Sequence, residues 1–293
     1  MKILVVGSSN TDMTALVPSI PGPGETVVGS GFRVTLGGKG ANQAVACVRQ
    51  GAATAFVTAL GNDSFGDTLT DSFVREGMQT DCIVRKPVHS GVALIFVDEN
   101  GENSIGVAAG ANSLLSPEDI DAADSCFEEG GILLLQLEIP MDTVVYACRK
   151  AKSKNMTVIL NPAPAAAIPP ELLRYTDIIT PNEHELDRIG KTPAELFEAG
   201  VSLVVNTLGS RGARVISPDE SYTVPAYKVR AVDTVGAGDC FNGVLAASLA
   251  KGMDVREAVH RAVAAAALAV TREGAQAAMP TGEETDAFIR AHR

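Results

Sequence analysis

The chain lacks tryptophan, has few other aromatic residues and carries more acidic than basic residues. Its net charge of −11 argues against a nucleic-acid-binding surface, because phosphate contacts need clustered Lys and Arg. The longest apolar runs, such as 132–135, are far shorter than a membrane span. Only four apolar residues follow Lys2, too few for a secretory signal. The sequence therefore predicts a cytoplasmic protein with neither a nucleic-acid nor a membrane partner.

Cysteine pairs with metal or redox spacing are also missing. The five cysteines are widely spaced and contain no C-x-x-C pair, which indicates neither a zinc site nor a disulfide framework. This cysteine usage fits a reducing compartment. The four histidines show no metal-ligand spacing either. Hydrophobic residues make up 46% of the 293 positions, enough for one large core.

The most informative segment that is present is 233–239, Asp-Thr-Val-Gly-Ala-Gly-Asp, followed by an apolar run at 240–249. A helix starting there would point its first N–H groups outward, so Gly236, Ala237 and Gly238 would form an anion site. Asp239 would then be placed to accept a proton from an attacking hydroxyl. An anion site beside a base suits phosphoryl transfer to an alcohol. The segment alone is equally consistent with a strand-to-helix turn capped by an Asp.

A second glycine-rich segment, 37–43, reads Gly-Gly-Lys-Gly-Ala-Asn-Gln and also precedes an apolar run. Gly38 and Gly40 would let the backbone approach a ligand, and Asn42 offers a donor and an acceptor to a polyol. The spacing is not that of a Walker P-loop. Taken alone, a tight turn with a solvated Lys39 explains the segment more simply.

Apolar segments with strand character alternate with helical patterns along much of the chain. This order predicts an α/β fold with a doubly wound, mostly parallel sheet and helices on both faces. Ligands of such sheets bind beyond the carboxyl ends of the strands, and several polar candidates fall there. The predicted strands are 3–6, 55–60, 132–137, 157–160, 177–180 and 203–207, and predicted helices include 42–50, 65–76, 141–153 and 170–175.

Two segments interrupt the alternation. Residues 25–36 have an extended pattern, and 92–105 resemble a hairpin whose turn ends in Asn-Gly. We interpret them as a small β-sheet lid over the site, inserted from about 11–36 and 90–108 into a single domain spanning 1–293. A pair of static edge hairpins is the alternative.

Segments 37–43 and 233–239 together resemble the two hallmark motifs of the ribokinase-like carbohydrate kinases. Further matches follow in the order of that family, and the likeness runs from about residue 3 to about residue 290. These matches are 6–12, 135–138 (Leu-Gln-Leu-Glu), 180–185 (Thr-Pro-Asn-Glu-His-Glu), 207–212 (Thr-Leu-Gly-Ser-Arg-Gly) and 271–276 (Thr-Arg-Glu-Gly-Ala-Gln).

The resemblance implies ATP-dependent phosphorylation of D-ribose at its 5-hydroxyl, with Asp239 as the base. Another small sugar or nucleoside, such as deoxyribose or pseudouridine, is the alternative within the family. A non-catalytic sugar sensor is the alternative outside it. The implied sugar-binding residues are Asn10, Asp12, Gly38, Lys39, Gly40, Asn42, Glu138 and Asp239. Among them, Asp12 and Glu138 would accept hydrogen bonds from vicinal hydroxyls, and Lys39 and Asn42 would donate.

The resemblance also implies three cofactors, ATP, Mg²⁺ and K⁺, and a homodimer formed through the lid. Asn182 and Glu185 would order water around Mg²⁺, although an acidic first turn of a helix is the favoured explanation when this segment is taken alone. K⁺ would lie near Asp233. The implied ATP contacts are Asn182, Thr207, Leu208, Gly209, Ser210, Arg211, Gly212 and Gly238. The implied metal ligands are Glu185, Asp233 and the backbone carbonyls of Val235, Ala269, Arg272 and Gly274.

Overall fold

A computed structural model of the chain describes residues 1–292, whose strands form a nine-stranded and a four-stranded sheet. In chain order, the strands of the large sheet are β1 (Ile3–Val6), β4 (Thr54–Gly61), β5 (Ile83–Lys86), β8 (Ile132–Leu135), β9 (Thr157–Leu160), β10 (Ile178–Ile179), β11 (Leu203–Thr207), β12 (Ala213–Ile216) and β13 (Ser221–Val224). Those of the small sheet are β2 (Asn10–Leu16), β3 (Gly31–Gly37), β6 (Gly91–Val97) and β7 (Asn103–Ala108).

Helices lie between most of the strands. They are α1 (Lys39–Arg49), α2 (Ser64–Glu76), α3 (Pro117–Ala122), α4 (Met141–Ser153), α5 (Pro170–Arg174), α6 (Glu183–Ile189), α7 (Pro193–Glu198), α8 (Ala237–Ala250), α9 (Val255–Ala269) and α10 (Gly282–Ala291). Local sequence sets their ends. The Asp63 side chain caps the start of α2 by accepting from Gly66 N–H at 2.8 Å, and Gly77 ends that helix in the left-handed region.

The large sheet has the spatial order β13-β12-β11-β10-β9-β8-β1-β4-β5. All pairs from β5 to β11 are parallel, and β12 and β13 add an antiparallel hairpin at one edge. The central strands are buried on both faces, because side chains alternate between two hydrophobic cores. Ile3 and Val5 face the core under α1, α8 and α9, and Leu4 and Val6 face the core under α4. The predicted doubly wound, mostly parallel α/β fold is confirmed.

Several element ends differ from the predictions; α1, for example, begins at Lys39 and not at residue 42. The strand predicted over 132–137 ends at Leu135, and the one predicted over 177–180 shortens to Ile178–Ile179. The extended segment predicted over 25–36 pairs as a strand only from Gly31 onward. The reason is that 20–30 forms a loop containing two prolines and a tight turn in which Glu25 N–H bonds Gly22 O at 3.0 Å.

The small sheet has the order β3-β2-β6-β7 and consists of the two segments assigned above to a lid. Cross-strand partners share a face of a sheet, so the register divides its side chains into two sets. Val34, Met13 and Leu94 are aligned with one another on one face, together with Phe32 and Phe96. Asp12 points to the other face. We call the first set the outer face.

A disulfide joins Cys82, which precedes β5, to Cys126 in a 3₁₀ turn after α3. The interpretation that the cysteine spacing indicates no disulfides is therefore wrong. Sequence spacing could not reveal this pair, because its members lie 44 residues apart and meet only through tertiary packing. The other three cysteines are buried free thiols in the described chain, and burial raises the pKa of each.

Within residues 1–292, no helix is both long and apolar enough to cross a bilayer.

Candidate active site

The candidate site lies where β1 and β8 end and where α1 and α8 begin. The start of α1 packs directly on the backbone that links β1 to β2, with Ala41 N–H bonding Ser8 O at 2.9 Å. A Cβ on Gly40 would lie 2.6 Å from the carbonyl carbon of Gly7, and one on Gly38 would lie 2.8 Å from Asn10 N. Glycine is thus required here because two backbone segments of the chain meet, a reason different from the predicted approach to a ligand.

Asp239 lies in the first turn of α8 and is only 7% exposed. Its two carboxylate oxygens accept from different amides: Asn42 Nδ2 donates to Oδ2 at 2.8 Å, and Gln43 Nε2 donates to Oδ1 at 3.0 Å. Burial raises the pKa of Asp239, while Lys39 and the two amide donors oppose that rise. The carboxylate is therefore fixed in direction and has the raised pKa expected of a general base.

Lys39 is surrounded by carboxylates. Burial alone would lower its pKa, but Asp239, Glu138, Glu185 and Asp12 outweigh that effect and raise it. Burial also raises the pKa of Asp12, to about 6, and the charges of Glu138 and Asp239 add to the rise. The charges of four acidic side chains thus act on one lysine, and acidic groups outnumber basic ones in this site.

Glu138 is held by one side-chain donor and one backbone donor. Its Oε2 accepts from Ser8 Oγ at 2.5 Å and from Lys39 N–H at 3.0 Å. Both bonds fall on the same oxygen, so Oε1 keeps its acceptor capacity within the described chain. Ser8 was not predicted as a site residue, because a serine in a strand-end loop has no distinguishing sequence signal.

Asn10 is oriented by a second asparagine that the sequence did not indicate. Asn112 Nδ2 donates to Asn10 Oδ1 at 2.8 Å and to Ser9 O at 3.0 Å, and its Oδ1 accepts from Ser9 N–H at 2.9 Å. Because the oxygen of Asn10 is already bonded, its Nδ2 is the group left to donate to a ligand.

Asn42 has the opposite orientation. Its Nδ2 is bonded to Asp239, and its Oδ1 is buried without a hydrogen-bond partner among residues 1–292. A buried acceptor without a partner costs stability unless a ligand supplies a donor. The Nδ2 group carries a second hydrogen besides the one bonded to Asp239, so donation from Asn42 to the sugar stays a prediction.

The loop before α8 has the geometry of an anion site. Gly236 adopts a left-handed conformation at φ 74°, and a Cβ there would lie 3.0 Å from Ala275 Cβ. The first α-helical bond of α8 runs from Cys240 N–H to Gly236 O at 2.8 Å. The N–H groups that precede it at a helix start have no intrahelical acceptor. Of the predicted anion site of Gly236, Ala237 and Gly238, the Ala237 N–H bonds Thr234 O at 3.3 Å, so Gly238 and Asp239 present theirs at the positive end of the helix.

A cavity of about 460 Å³ adjoins this helix start, a volume typical of small-molecule sites. The predicted nucleotide residues Thr207, Gly209, Ser210, Gly212 and Gly238 line it, as does Ala237. Two other predicted nucleotide residues, Leu208 and Arg211, do not line the cavity. The Arg211 guanidinium forms an ion pair with Glu183 instead. The apolar wall of the cavity was not predicted and comes from Tyr227, Phe241, Val263, Ala266 and Val270.

Asn182 and Glu185 form a reciprocal cap at the start of α6. Asn182 Oδ1 accepts from Glu185 N–H at 2.7 Å, and Glu185 Oε2 accepts from Asn182 N–H at 2.8 Å. Burial raises the pKa of Glu185, opposed by the Asn182 N–H and by Lys39. The pair also adjoins the nucleotide residues, because Thr207 N–H bonds Pro181 O at 2.9 Å. The helix-start explanation therefore holds, and one Glu185 oxygen remains outside the cap.

Asp233 ties the loop before α8 to the segment after α9. Its Oδ1 accepts from Val235 N–H at 3.0 Å and its Oδ2 from Gly274 N–H at 2.9 Å. Its own N–H bonds Val270 O at 3.2 Å. The predicted K⁺ ligands Asp233, Val235 and Gly274 are thus neighbours. The Ala269 carbonyl accepts from Arg272 N–H at 3.0 Å, which places these two ligands beside one another.

Comparison with known proteins agrees with this arrangement. Residues 1–282 match the model of the pfkB family of carbohydrate kinases. The chain belongs to this family, whose members are transferases that phosphorylate an alcohol group.

Three relatives illustrate the similarity. The chain is 39% identical to a ribokinase of Haemophilus influenzae over 98% of both chains, and 36% identical to a deoxyribokinase of Salmonella typhi over 99% of both. The solved structure of Arabidopsis thaliana ribokinase complexed with ribose and ATP superposes with a TM-score of 0.90 at 30% identity, covering 99% of this chain and 98% of that one.

Proposed function

We propose that the chain transfers the γ-phosphoryl group of ATP to the 5-hydroxyl of D-ribose. The observation that carries the proposal is the buried Asp239 carboxylate. It lies in the first turn of α8, next to the free N–H groups of that helix start, and it accepts a hydrogen bond from Asn42 in the first turn of α1. The relatives named as ribokinases and the complex with ribose and ATP support the choice of substrates.

The polar groups available around Asp239 suit a polyol. Asp12 and the Oε1 of Glu138 are acceptors for vicinal hydroxyls. Lys39 and the Nδ2 of Asn10 are donors. A sugar hydroxyl both donates and accepts, so alternating donors and acceptors satisfy it where a purely acidic site would not.

In the proposed reaction, the 5-hydroxyl oxygen attacks the γ-phosphorus, its proton passes to Asp239, and the bond to the β–γ bridging oxygen breaks to release ADP. ATP would occupy the cavity beside Thr207, with its terminal phosphate at the N–H groups of Gly238 and Asp239. These groups face the oxygens on which negative charge develops, the arrangement that stabilises phosphoryl transfer.

The charge of the site requires a cation with the nucleotide. Four carboxylates surround Lys39, and a polyphosphate would add further negative charge. Mg²⁺ retains several waters and takes few protein ligands, so it does not need three or more ligating side chains, and no such group placed to hold a metal ion is found within 1–292. We therefore propose that Glu185 and Asn182 order water on Mg²⁺, whose charge would neutralise that of the phosphates.

We also propose that K⁺ is held beside Asp233 by the backbone carbonyls of Val235, Ala269, Arg272 and Gly274. Both Asp233 oxygens already accept N–H bonds, so the carboxylate would contribute mainly charge and loop position. The cation would stiffen the loop that carries the anion site.

The outer face of the small sheet supports a proposed homodimer. Phe32 is 68% exposed, Leu94 52% and Val34 50%, so exposed apolar side chains lie on β3 and β6, the two strands that flank β2 on this face. Exposed apolar patches of this kind mark association surfaces. A second copy of the small sheet would cover this face.

A cytoplasmic location is proposed because the phosphoryl donor is ATP. The Cys82–Cys126 disulfide is unusual for that compartment, where thiols are kept reduced.

Deoxyribose is the second candidate substrate, supported by the deoxyribokinase relative. The two sugars differ by one hydroxyl, and Asp12 and Glu138 are the acceptors proposed for vicinal hydroxyls. Steady-state rates with ribose, deoxyribose and a nucleoside at saturating ATP separate the candidates. Turnover highest with ribose supports the proposal, whereas turnover confined to a nucleoside contradicts it.

A further inference from the structure

Gln43 lies at the centre of a buried hydrogen-bond network behind Asp239. The side chain is fully buried. Its Nε2 donates to Asp239 Oδ1 and to Asn161 Oδ1, both at 3.0 Å, and its Oε1 accepts from Gln136 Nε2 at 2.5 Å. Both hydrogens and the oxygen of this amide are therefore used.

The amide orientation of Gln43 is imposed by its neighbours. Asn161 Nδ2 donates to Thr180 O at 3.2 Å, so the Oδ1 of Asn161 must face Gln43. Gln43 then meets two acceptors, Asn161 Oδ1 and the Asp239 carboxylate, and only its NH₂ group can face them both. A rotated amide would place oxygen against oxygen at each contact.

The same network returns to the backbone beside Asp239. Thr180 Oγ1 donates to Asn242 Oδ1 at 2.6 Å, and Asn242 Nδ2 donates to Gly238 O at 2.9 Å. The network thus holds the side chain of Asp239 through Gln43 and the peptide that precedes Asp239 through Asn242. It joins the carboxyl ends of β9 and β10 to the starts of α1 and α8.

We infer that Gln43 is a positioning residue for phosphoryl transfer: it holds Oδ1 of Asp239 and so leaves Oδ2, the oxygen shared with Asn42, to receive the hydroxyl proton. This inference rests on the proposed function. A carboxylate has a broad torsional preference about its last bond, so a single donor would not fix its plane. Two amides on two different oxygens do fix it.

The charged groups facing Asp239 make the Nε2 donor of Gln43 important for the ionisation of Asp239 as well. Lys39 on α1 favours the carboxylate form, whereas Glu138 after β8, Asp12 on β2 and Glu185 on α6 disfavour it. Burial already raises the pKa of Asp239, and Gln43 is one of the groups opposing the rise. Removing its N–H would raise the pKa further and shift the acid limb of the rate profile to higher pH.

The test is Gln43→Met, which keeps the side chain's length and removes the donor. We expect kcat to fall about 10- to 100-fold, the effect of one hydrogen bond to a charged group. The KM for ribose should stay within about threefold, because Gln43 acts through the base and not on the sugar. The acid limb of kcat should move up by roughly one pH unit. Gln136→Met is the matched control. It removes the hydrogen bond from Gln136 to Gln43 but keeps the one from Gln43 to Asp239, so the acid limb of kcat should stay in place.

Gln43→Glu provides a second variant of nearly unchanged volume should the methionine variant fail to fold. It places a carboxylate against Asp239, so kcat at pH 7 should fall at least as far. Two results with the methionine variants would overturn the inference: an acid limb of kcat that stays in place in Gln43→Met, or an equal loss of kcat in Gln43→Met and Gln136→Met. A folded Gln43→Glu protein with kcat within about threefold of the parent would overturn it as well. If the parent protein does not phosphorylate ribose, the proposed function fails instead. The changes in kcat and KM and the pH profiles of the variants are then measured with the sugar that the parent protein accepts.

Discussion

Ribose binding should weaken as the pH falls through the pKa of Asp12, and the structure gives the size of the effect. Burial, together with the neighbouring charges of Glu138 and Asp239, raises the pKa of Asp12 from 3.8 to about 6. The proposed role of Asp12 is to accept hydrogen bonds from vicinal hydroxyls, and the protonated carboxyl has less acceptor capacity. Protonation therefore competes with the sugar, and the window of the effect lies around and below pH 6.

The expected magnitude follows from simple titration. Below its pKa, a group that must be ionised for binding costs about tenfold in affinity for each pH unit. The ribose Kd should thus be nearly constant from pH 8 to pH 7 and roughly tenfold weaker at pH 5. Calorimetry without ATP measures this directly, because turnover and the ionisation of Asp239 during catalysis then do not enter.

Asp12→Asn is the matched variant, since it keeps the shape of the side chain and removes its titration. We expect it to bind ribose more weakly at pH 7 and to show little change between pH 5 and pH 7. A parent protein whose ribose Kd is unchanged from pH 8 to pH 5 would refute this account of Asp12. So would an asparagine variant that keeps the full pH dependence, because the titrating group would then lie elsewhere.

Three further predictions concern the base, the monovalent cation and the small sheet. Asp239→Asn should bind ribose normally by calorimetry but lose roughly 10²- to 10⁴-fold in kcat, and activity within a few-fold of the parent would rule out a base at this position. Turnover should be higher in potassium than in tetramethylammonium at constant ionic strength. Asp233→Ala should lose most of that difference; equal turnover of the parent in both buffers would remove the ion from the mechanism. Leu94→Lys on the outer face should yield monomers in sedimentation experiments, whereas Val74→Lys, on an equally exposed apolar residue of α2, should not; a Leu94→Lys protein that stays dimeric would move the interface elsewhere.

The parts of the fold that follow from the sequence are those with a strong local pattern. The buried parallel strands are continuous apolar runs, and Ile3–Val6 and Leu203–Thr207 have the bounds that the pattern predicts. The predicted strand 177–180 is longer than the observed β10. Only Ile178 and Ile179 pair, although the flanking residues are also compatible with a strand. The Cys82–Cys126 disulfide has no local pattern at all.

The candidate site shows the same division. Glycine motifs could be recognised because only glycine tolerates the left-handed turn at Gly236 and the backbone contact at Gly40. The side-chain amides that orient the predicted residues could not be recognised from the sequence. Gln43 closes the glycine-rich segment 37–43 but has no predicted role there, and Asn112 lies in an ordinary segment; the importance of both arises from partners about 100 to 200 residues away in the sequence. The direction of the Asn42 amide likewise depended on the Asp239 contact, which only the structure provides.

Direct product analysis is the most stringent test of the central claim, phosphoryl transfer from ATP to the 5-hydroxyl of ribose. The purified protein is incubated with ATP, Mg²⁺, K⁺ and ribose, and the products are examined by phosphorus NMR and mass spectrometry, with Asp239→Asn as the control. We expect ribose 5-phosphate and ADP in equal amounts from the parent protein and almost none from the variant. ATP hydrolysis without a phosphorylated sugar, or a phosphate on another hydroxyl, would contradict the account.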